Sequence, residues 1–421
     1  MTIPELYNIY LQHQKISTDS RTIQPGDIFF ALKGENFNGN AYTNIALSKG
    51  AILCITDEET QHNDTRIIRV ENALNTLQQL ALYHRKQFSI PFLAITGSNG
   101  KTTTKELIHA VLSSTYITYT TTGNLNNHIG IPLTLLKIKQ DAAIAVVEMG
   151  ANHIGEIASY CHIVQPTHGL ITNCGKAHLE GFGSEEGVKK GKGELYDFLR
   201  ENNGTAFVNS NLNYLMEMSS GINHRVLYAS EETATQEGNH ETFLQVNTED
   251  GFHIKTQLVG DYNLPNVLAA MAIGKYFQVT PQVIKSAIEN YIPSNSRSQL
   301  IMWKTNTVIL DAYNANPSSM KAAITNFAHE RNTNKVLILG GMKELGKDRE
   351  KEHTSLISFI EEFKWTAVIL VGEEFSHTPP HFQHFNTSLE AREWLKKHPL
   401  HNAHILLKGS RSMKMETVLD D

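Results

Sequence analysis

The stretch that most limits what this chain can fold into runs from Phe88 to Leu112, FSIPFLAITGSNGKTTTKELIHAVL. An apolar run, a turn holding two glycines and an amphipathic run follow without a gap, which predicts a buried strand, a tight turn and a helix. In Ile95 to Thr104, ITGSNGKTTT, such a turn points consecutive backbone N–H groups inward at a helix N-terminus, where unpaired donors favour phosphate oxygens. Gly97 and Gly100 permit the tight backbone, and Ser98, Asn99 and Thr103 complete the cradle. Lys101 is placed to reach the β- and γ-phosphates as a point charge, and the Thr102 hydroxyl to ligate magnesium. A strict P-loop has Gly where this chain has Ile95, so only the GKT end matches and the flanking strand and helix carry the assignment.

A parallel α/β sheet is the setting such a unit requires, and further short apolar runs supply its strands: AAIAVVEM (Ala142 to Met149) and HGLITN (His168 to Asn173). Upstream, DIFFAL, AILCIT and TRIIRV alternate with Gly- and Asn-rich turns and read as a small α/β domain over residues 1–87. The central ATP-binding domain is expected over 88–294. After Tyr291 the run IPSNSRSQ reads as a linker, and TVILDAYN, KVLILGGM, TAVILVG and HILLKGSR recur at helix-sized intervals, which predicts a third, Rossmann-like domain over 295–421. A chain of 421 residues exceeds one core, in keeping with three domains.

The formal charge of -6 supplies no basic field, which argues against nucleic-acid binding. Cys54, Cys161 and Cys174 show no paired metal-ligand spacing and read as buried thiols. No segment resembles an export signal or a membrane span, so a cytoplasmic protein without membrane insertion is expected.

Ligands of open α/β sheets lie beyond the carboxyl ends of the strands, which singles out Glu148 at the end of AVVEMG as a metal-ligand candidate. The loop after LITN carries His178, a magnesium partner only beside oxygen ligands, and a loop histidine without a role is an equal reading from pattern alone. Lys192 lies in the helical run VKKGKGELYDFL, where an ordinary solvated lysine is the simpler reading.

Taken together, ITGSNGKTTTKE, TTGNLNNHIGIPLTLL, EMGANHIGEI and ITNCGKAHLEGFGS resemble the central domain of the Mur ligase family in order and spacing. The resemblance continues through LVGDYNLPNVLAA, Arg297 in SNSRSQ, DAYNANPSSM, LGGMKELG and LLKGSRSMKME, and so spans nearly the whole chain. It implies an ATP-dependent amide ligase with three domains. DAYNANP, MKELG and KGSR are most similar to the members that add D-alanyl-D-alanine to UDP-N-acetylmuramoyl-tripeptide in peptidoglycan precursor synthesis, through an acyl phosphate. Another amide ligase of the same superfamily, a sister Mur ligase or a folylpolyglutamate synthase, is the alternative, and a catalytically silent nucleotide-binding scaffold a more remote one.

By matching position the resemblance implies that Lys101 and Thr102 hold ATP phosphates and magnesium, with Asn126 and Asn127 lining the same pocket. Glu148 and His178 would ligate two magnesium ions, with Lys192 as a carbamate. Asn263 and Asn266 would face the adenine side, Arg297 the phosphates and Asp311 the ribose. Asn314, Asn316, Lys408 and Arg411 would meet phosphate or peptide substrate, and Ser20 and Arg21 the uridine nucleotide. A monomer is implied. Tyr262 stands where many relatives have His, and Gly341 where an acidic residue is usual.

Overall fold

The structure, a computed structural model, describes residues 1–59, 64–229, 234–236, 242–248, 251–294, 296–375 and 377–420. The chain opens on strands β1 (Ile16–Ser17) and β2 (Ile28–Phe30), a hairpin β3 (Lys33–Gly34) and β4 (Phe37–Asn38), then β5 (Leu53–Thr56) and β6 (Ile67–Arg69). Four of these form a parallel sheet in the order β1-β2-β5-β6.

The central sheet is built from β7 (Phe92–Thr96), β8 (Thr118–Thr120), β9 (Ile144–Glu148), β10 (His168–Ile171), β11 (Thr205–Asn209) and β12 (His224–Tyr228). Its order is β12-β11-β10-β7-β9-β8 and every pairing is parallel, as the apolar runs predict. Every residue of β7 and β9 is buried, because helices cover both faces and leave no polar side to alternate with. A separate antiparallel sheet, β13 (Ala234–Gln236), β14 (Phe243–Thr248) and β15 (His253–Val259), follows, and no sequence expectation covered it.

The last sheet comprises β16 (Gln299–Trp303), β17 (Asn306–Asp311), β18 (Lys335–Gly340), β19 (Ala367–Val371), β20 (Gln383–Phe385) and β21 (His404–Lys408), in the order β16-β17-β21-β18-β19-β20. Its core is parallel, and β16 joins antiparallel at one edge. The domain boundary expected at 294/295 abuts residue 295, which lies outside the described residues.

The first two sheets are tied by one continuous apolar core. Leu6, Tyr10 and Leu77 on the helices Ile3–His13 and Ala73–Arg85 share it with Ile131, Leu136 and Tyr160 of the central region. Polar bonds reinforce it: Tyr7 Oη meets His84 Nδ1 at 3.0 Å, and buried Arg85 donates to the carbonyls of Val164 at 2.7 Å and Gln165 at 2.8 Å. The C-terminal sheet has its own two cores, into which, among the described residues, only Val259 and Tyr262 reach from the preceding region.

Candidate active site

The turn after β7 sits where parallel pairing forces three strand ends together, with Ile95 beside Glu148 and Thr96 beside Ile171. Gly97 has φ +143°, and a Cβ there would lie 2.0 Å from Thr172 Oγ1, so a side chain has neither room nor a relaxed backbone. Gly100 has φ +79° and faces Asn266 Oδ1 at 2.5 Å from its virtual Cβ. The turn is held from outside: Ser98 N donates to Asn173 O at 2.9 Å, Asn99 N to Asn173 Oδ1 at 3.0 Å, and Thr172 Oγ1 to Asn99 O at 2.6 Å. From Lys101 the helix Lys101–Ser113 begins, so its free N–H groups open on the cavity that the turn borders.

Lys101 curls over the turn, donating to Gly97 O at 2.6 Å and Ser98 O at 3.2 Å. Burial lowers its pKa, and the nearby charge of Glu148 pulls the other way. Glu148 is 1 % exposed; Oε2 accepts from Thr102 Oγ1 at 2.9 Å and Oε1 from Asn126 Nδ2 at 2.7 Å. These are its only side-chain partners among the described residues. A carboxylate oxygen and a hydroxyl oxygen thus lie side by side at the cavity wall, hard oxygen donors of the kind magnesium takes. The pair therefore fits a magnesium ion. No three His, Cys, Asp or Glu side chains gather as a cage among the described residues, so phosphate oxygens and water would have to complete the shell of such an ion.

His178 lines the same cavity and caps the short helix Leu179–Phe182 with a left-handed φ of +52°. Its Nδ1 lies against a carboxylate oxygen of Glu344, a residue of the C-terminal region. Lys192, on the helix Glu185–Glu201, is 1 % exposed, donates to Ala151 O at 2.8 Å and lies 4.9 Å over the Phe182 ring. Burial first, and then the charge of Lys101, push its pKa down to about 7. The solvated-lysine reading does not survive this: the helix turns that residue inward.

On the other wall, parallel register sets Asp311 of β17 beside Lys408 of β21. Their side chains pair at 2.6 Å, and Lys408 Nζ also donates to Asn314 O at 3.1 Å. Arg297 stacks 3.6 Å over the Tyr313 ring, and Ser298 N donates to Asp311 Oδ1 at 3.3 Å. Asn263, Asn266 and Thr104 form a buried chain of bonds, Asn266 Nδ2 to Asn263 Oδ1 at 2.9 Å and Thr104 Oγ1 to Asn266 Oδ1 at 2.9 Å. Tyr262, in the place of the usual histidine, reaches Ser298 Oγ at 2.8 Å.

Apart from Gly97, Thr104, Phe182, Lys192 and Glu344, these groups border one cavity of about 900 Å³, along with Thr103, Asn127 and Ser98; Lys192 does not line it but donates to the carbonyl of Ala151, which does. Asn316 does not face it; its Nδ2 instead donates to Asn99 Oδ1 at 2.7 Å, joining the C-terminal region to the glycine turn. Ser20, Arg21 and Arg411 are not brought there. Ser20 is buried within the first sheet's surroundings, Arg21 is paired with Asp19 at 2.7 Å, and Arg411 with Glu416 at 2.9 Å. Two residues were missed as site members. Asn173 supports the glycine turn through both its carbonyls, and Glu344 holds His178; the motif MKELG marked the latter's neighbourhood but not its backbone geometry.

Comparison with known families agrees with this geometry. The description "Mur ligase family, catalytic domain" matches residues 13–85, "Mur ligase middle domain" residues 95–274, and "Mur ligase, glutamate ligase domain" residues 296–411. The UDP-N-acetylmuramoyl-tripeptide–D-alanyl-D-alanine ligase of Escherichia coli (strain K12) is 35% identical, over 99% of this chain and 95% of that protein. A crystal structure of MurF from Acinetobacter baumannii superposes with a TM-score of 0.87 at 32% identity, covering 96% of this chain and 92% of that one. MurF from Thermotoga maritima in complex with ADP gives 0.86 at 26% identity, with 97% of each chain covered. With its three successive regions, its phosphate turn and its full-length relatives, this chain belongs to the Mur ligase family.

Proposed function

We propose that this chain joins D-alanyl-D-alanine to UDP-N-acetylmuramoyl-tripeptide, driven by ATP and releasing ADP and phosphate. The observation that carries the reading is the single cavity in which the phosphate turn and Glu148 of the central region face Asp311 and Lys408 of the C-terminal region, in a chain related over its full length to ligases of that name.

Amide formation from a carboxylate and an amine in water is uphill, so the carboxylate must be activated first. The tripeptide's terminal carboxylate attacks the γ-phosphorus of ATP, the bond to the β-phosphate oxygen breaks, and an acyl phosphate and ADP result. Lys101, released from the carbonyls of Gly97 and Ser98, meets the transferring phosphoryl oxygens, and the N–H groups at the start of its helix add fixed positive dipoles. The dipeptide amine then attacks the acyl carbon, phosphate leaves, and the amine's surplus proton passes to solvent or a nearby base. Because an acyl phosphate hydrolyses, both halves of the cavity must close on it before it forms.

Magnesium, two ions in this reading, supplies charge neutralisation for the phosphoryl group. Thr102, Glu148 and His178 would hold it, with Lys192 as a carbamate, which is in effect a carboxylate. Burial pushes the Lys192 amine down to about 7, so a substantial fraction is uncharged at neutral pH, and the uncharged amine is the form that adds carbon dioxide. Asp311 would take the ribose, Arg297 the phosphates, Asn263 and Asn266 the adenine side, and Ser20 and Arg21 the uridine nucleotide. Asn314, Asn316, Lys408 and Arg411 would meet phosphate or peptide. We further take the protein as a cytoplasmic monomer; no helix among the described residues is long and apolar enough to cross a membrane.

The test is phosphate release from ATP with UDP-N-acetylmuramoyl-tripeptide present, with and without D-alanyl-D-alanine. Sustained release that needs both is expected. Turnover without the dipeptide overturns the specific assignment, and turnover with glutamate and a folate substrate would favour the folylpolyglutamate alternative.

A further inference from the structure

The loop that follows β18, residues 341–345, leads from the C-terminal sheet into a 3-10 turn (Gly346–Asp348) and the helix Arg349–Glu361. Its ends are fixed. Gly341 N donates to Val371 O at 2.9 Å, Met342 N to buried His353 Nε2 at 3.0 Å, and Lys343 N to Ser410 Oγ at 3.0 Å. Met342 is 1 % exposed and Leu345 3 %, both packed in the core beneath. Between these anchors Glu344 is forced outward with φ +63°, a left-handed backbone that a residue with a Cβ adopts only where its surroundings impose it.

Its carboxylate meets His178, which itself holds φ +52°. Its carbonyl accepts from Glu180 N at 3.2 Å, and Gly346 lies against Glu180, 3.3 Å from its Cα by a virtual Cβ. Glu344 therefore holds the start and the middle of one turn of chain. That turn is not incidental, since Phe182, 5 % exposed, ends it and packs over Lys192. Two strained residues from separate regions, facing each other across a polar seam, are costly unless the contact does something.

We propose that Glu344 is a positioning residue for the central site, lent by the C-terminal region: it orients the His178 imidazole and holds the 178–182 turn over Lys192 when the two regions close. Since Nδ1 is engaged by Glu344, Nε2 is the nitrogen left to face the cavity. The central region thus completes its own site only with the C-terminal region docked, which ties phosphate activation to closure. This rests on the function proposed above.

Three variants test it: Glu344→Gln, Glu344→Asp and Glu344→Gly. Hydrogen–deuterium exchange of the 178–183 amides, read without substrates or metal, is expected to quicken in the Gln and Gly variants. Turnover is expected to fall about tenfold or more in both, with KM for ATP altered much less, and to recover in part in the Asp variant. Glu344→Gly relieves the left-handed backbone, so its melting temperature should hold or rise while turnover falls; a purely structural role would lower it. Unchanged exchange and unchanged turnover in Glu344→Gln overturn the proposal, as does a fall in melting temperature with turnover intact. A wild-type protein that releases no phosphate with both substrates would count against the function instead, leaving the exchange result to judge Glu344 separately.

Discussion

Lys192 carries an amine into a site with 1 % exposure, one carbonyl partner and one aromatic ring. Burial of a positive charge there disfavours the protonated form, which is why its pKa falls to about 7. Bonded to the carbonyl of Ala151 on the cavity wall, its uncharged form is able to add carbon dioxide, and as a carbamate it would become a ligand for a cation rather than a cation itself. Lys192→Ala should therefore lose activity by about a hundredfold or more, in line with losing a group that acts at the metal. Added short-chain carboxylic acids should restore part of the turnover. An alanine variant with wild-type turnover rules the role out. From its pattern alone VKKGKGELYDFL reads more simply as a solvated helix face, the carbamate role came only from the family resemblance, and the packing of Phe182 and Ala151 is what shows which lysine turns inward.

Strands act here as carriers with chemistry at their ends. Register alone brings Glu148 beside Ile95 and Asp311 beside Lys408, so apolar runs of the right length were enough to foresee that the polar residue after each run would gather at one sheet edge. The opposite end of β21 was not foreseen. There His404 sits 3.2 Å from Glu330, a buried carboxyl that follows the helix Pro317–His329. Burial raises Glu330 to about 7 and pushes His404 down to about 4, so both prefer to be neutral. An acid whose folded pKa is raised binds its proton more tightly in the fold, so its contribution to stability is complete below the unfolded value of 4.5 and is lost as pH rises through about 7. Glu330→Gln keeps the shape without the charge. It should stabilise the C-terminal region by about 2 kcal/mol at pH 8 and by clearly less at pH 5. Tryptophan fluorescence in denaturant reads this region selectively, since Trp303, Trp365 and Trp394 all lie in it. Equal effects at the two pH values would show that Glu330 does not titrate as its burial implies.

Across the whole molecule the two seams differ in kind. An apolar core continues from the first sheet's helices into the central region, and separating them would expose Leu6, Tyr10, Leu77 and Ile131 to water. The C-terminal region meets the central one mainly through polar pairs, Asn316 with Asn99, Lys176 N with Ser318 at 3.1 Å, Lys176 Nζ with Glu352 at 3.0 Å, and Glu344 with His178, while Val259 and Tyr262 add a small apolar contact. Polar contacts exchange readily for water, so this seam opens at small cost and the other does not. Closure should therefore be a motion of the C-terminal region alone. Small-angle scattering is expected to show a more open free protein that compacts with an ATP analogue and the tripeptide substrate, and more so in low salt than in high. Profiles indifferent to ligands would remove closure from the mechanism. What the amino-acid order determined by itself was local: the glycine turn and its helix, the parallel central sheet, the repeat of strands in the last region, and the identity of the groups able to hold phosphate and metal. Those follow from short-range sterics, hydrophobic periodicity and the chemistry of side chains, all written within a few residues. The inward turn of Lys192, the strained pairing of Glu344 with His178, and the contrast between an oily seam and a polar one were decided only by the tertiary structure. Each depends on which distant segments meet, and no local pattern records the face that a neighbour will cover.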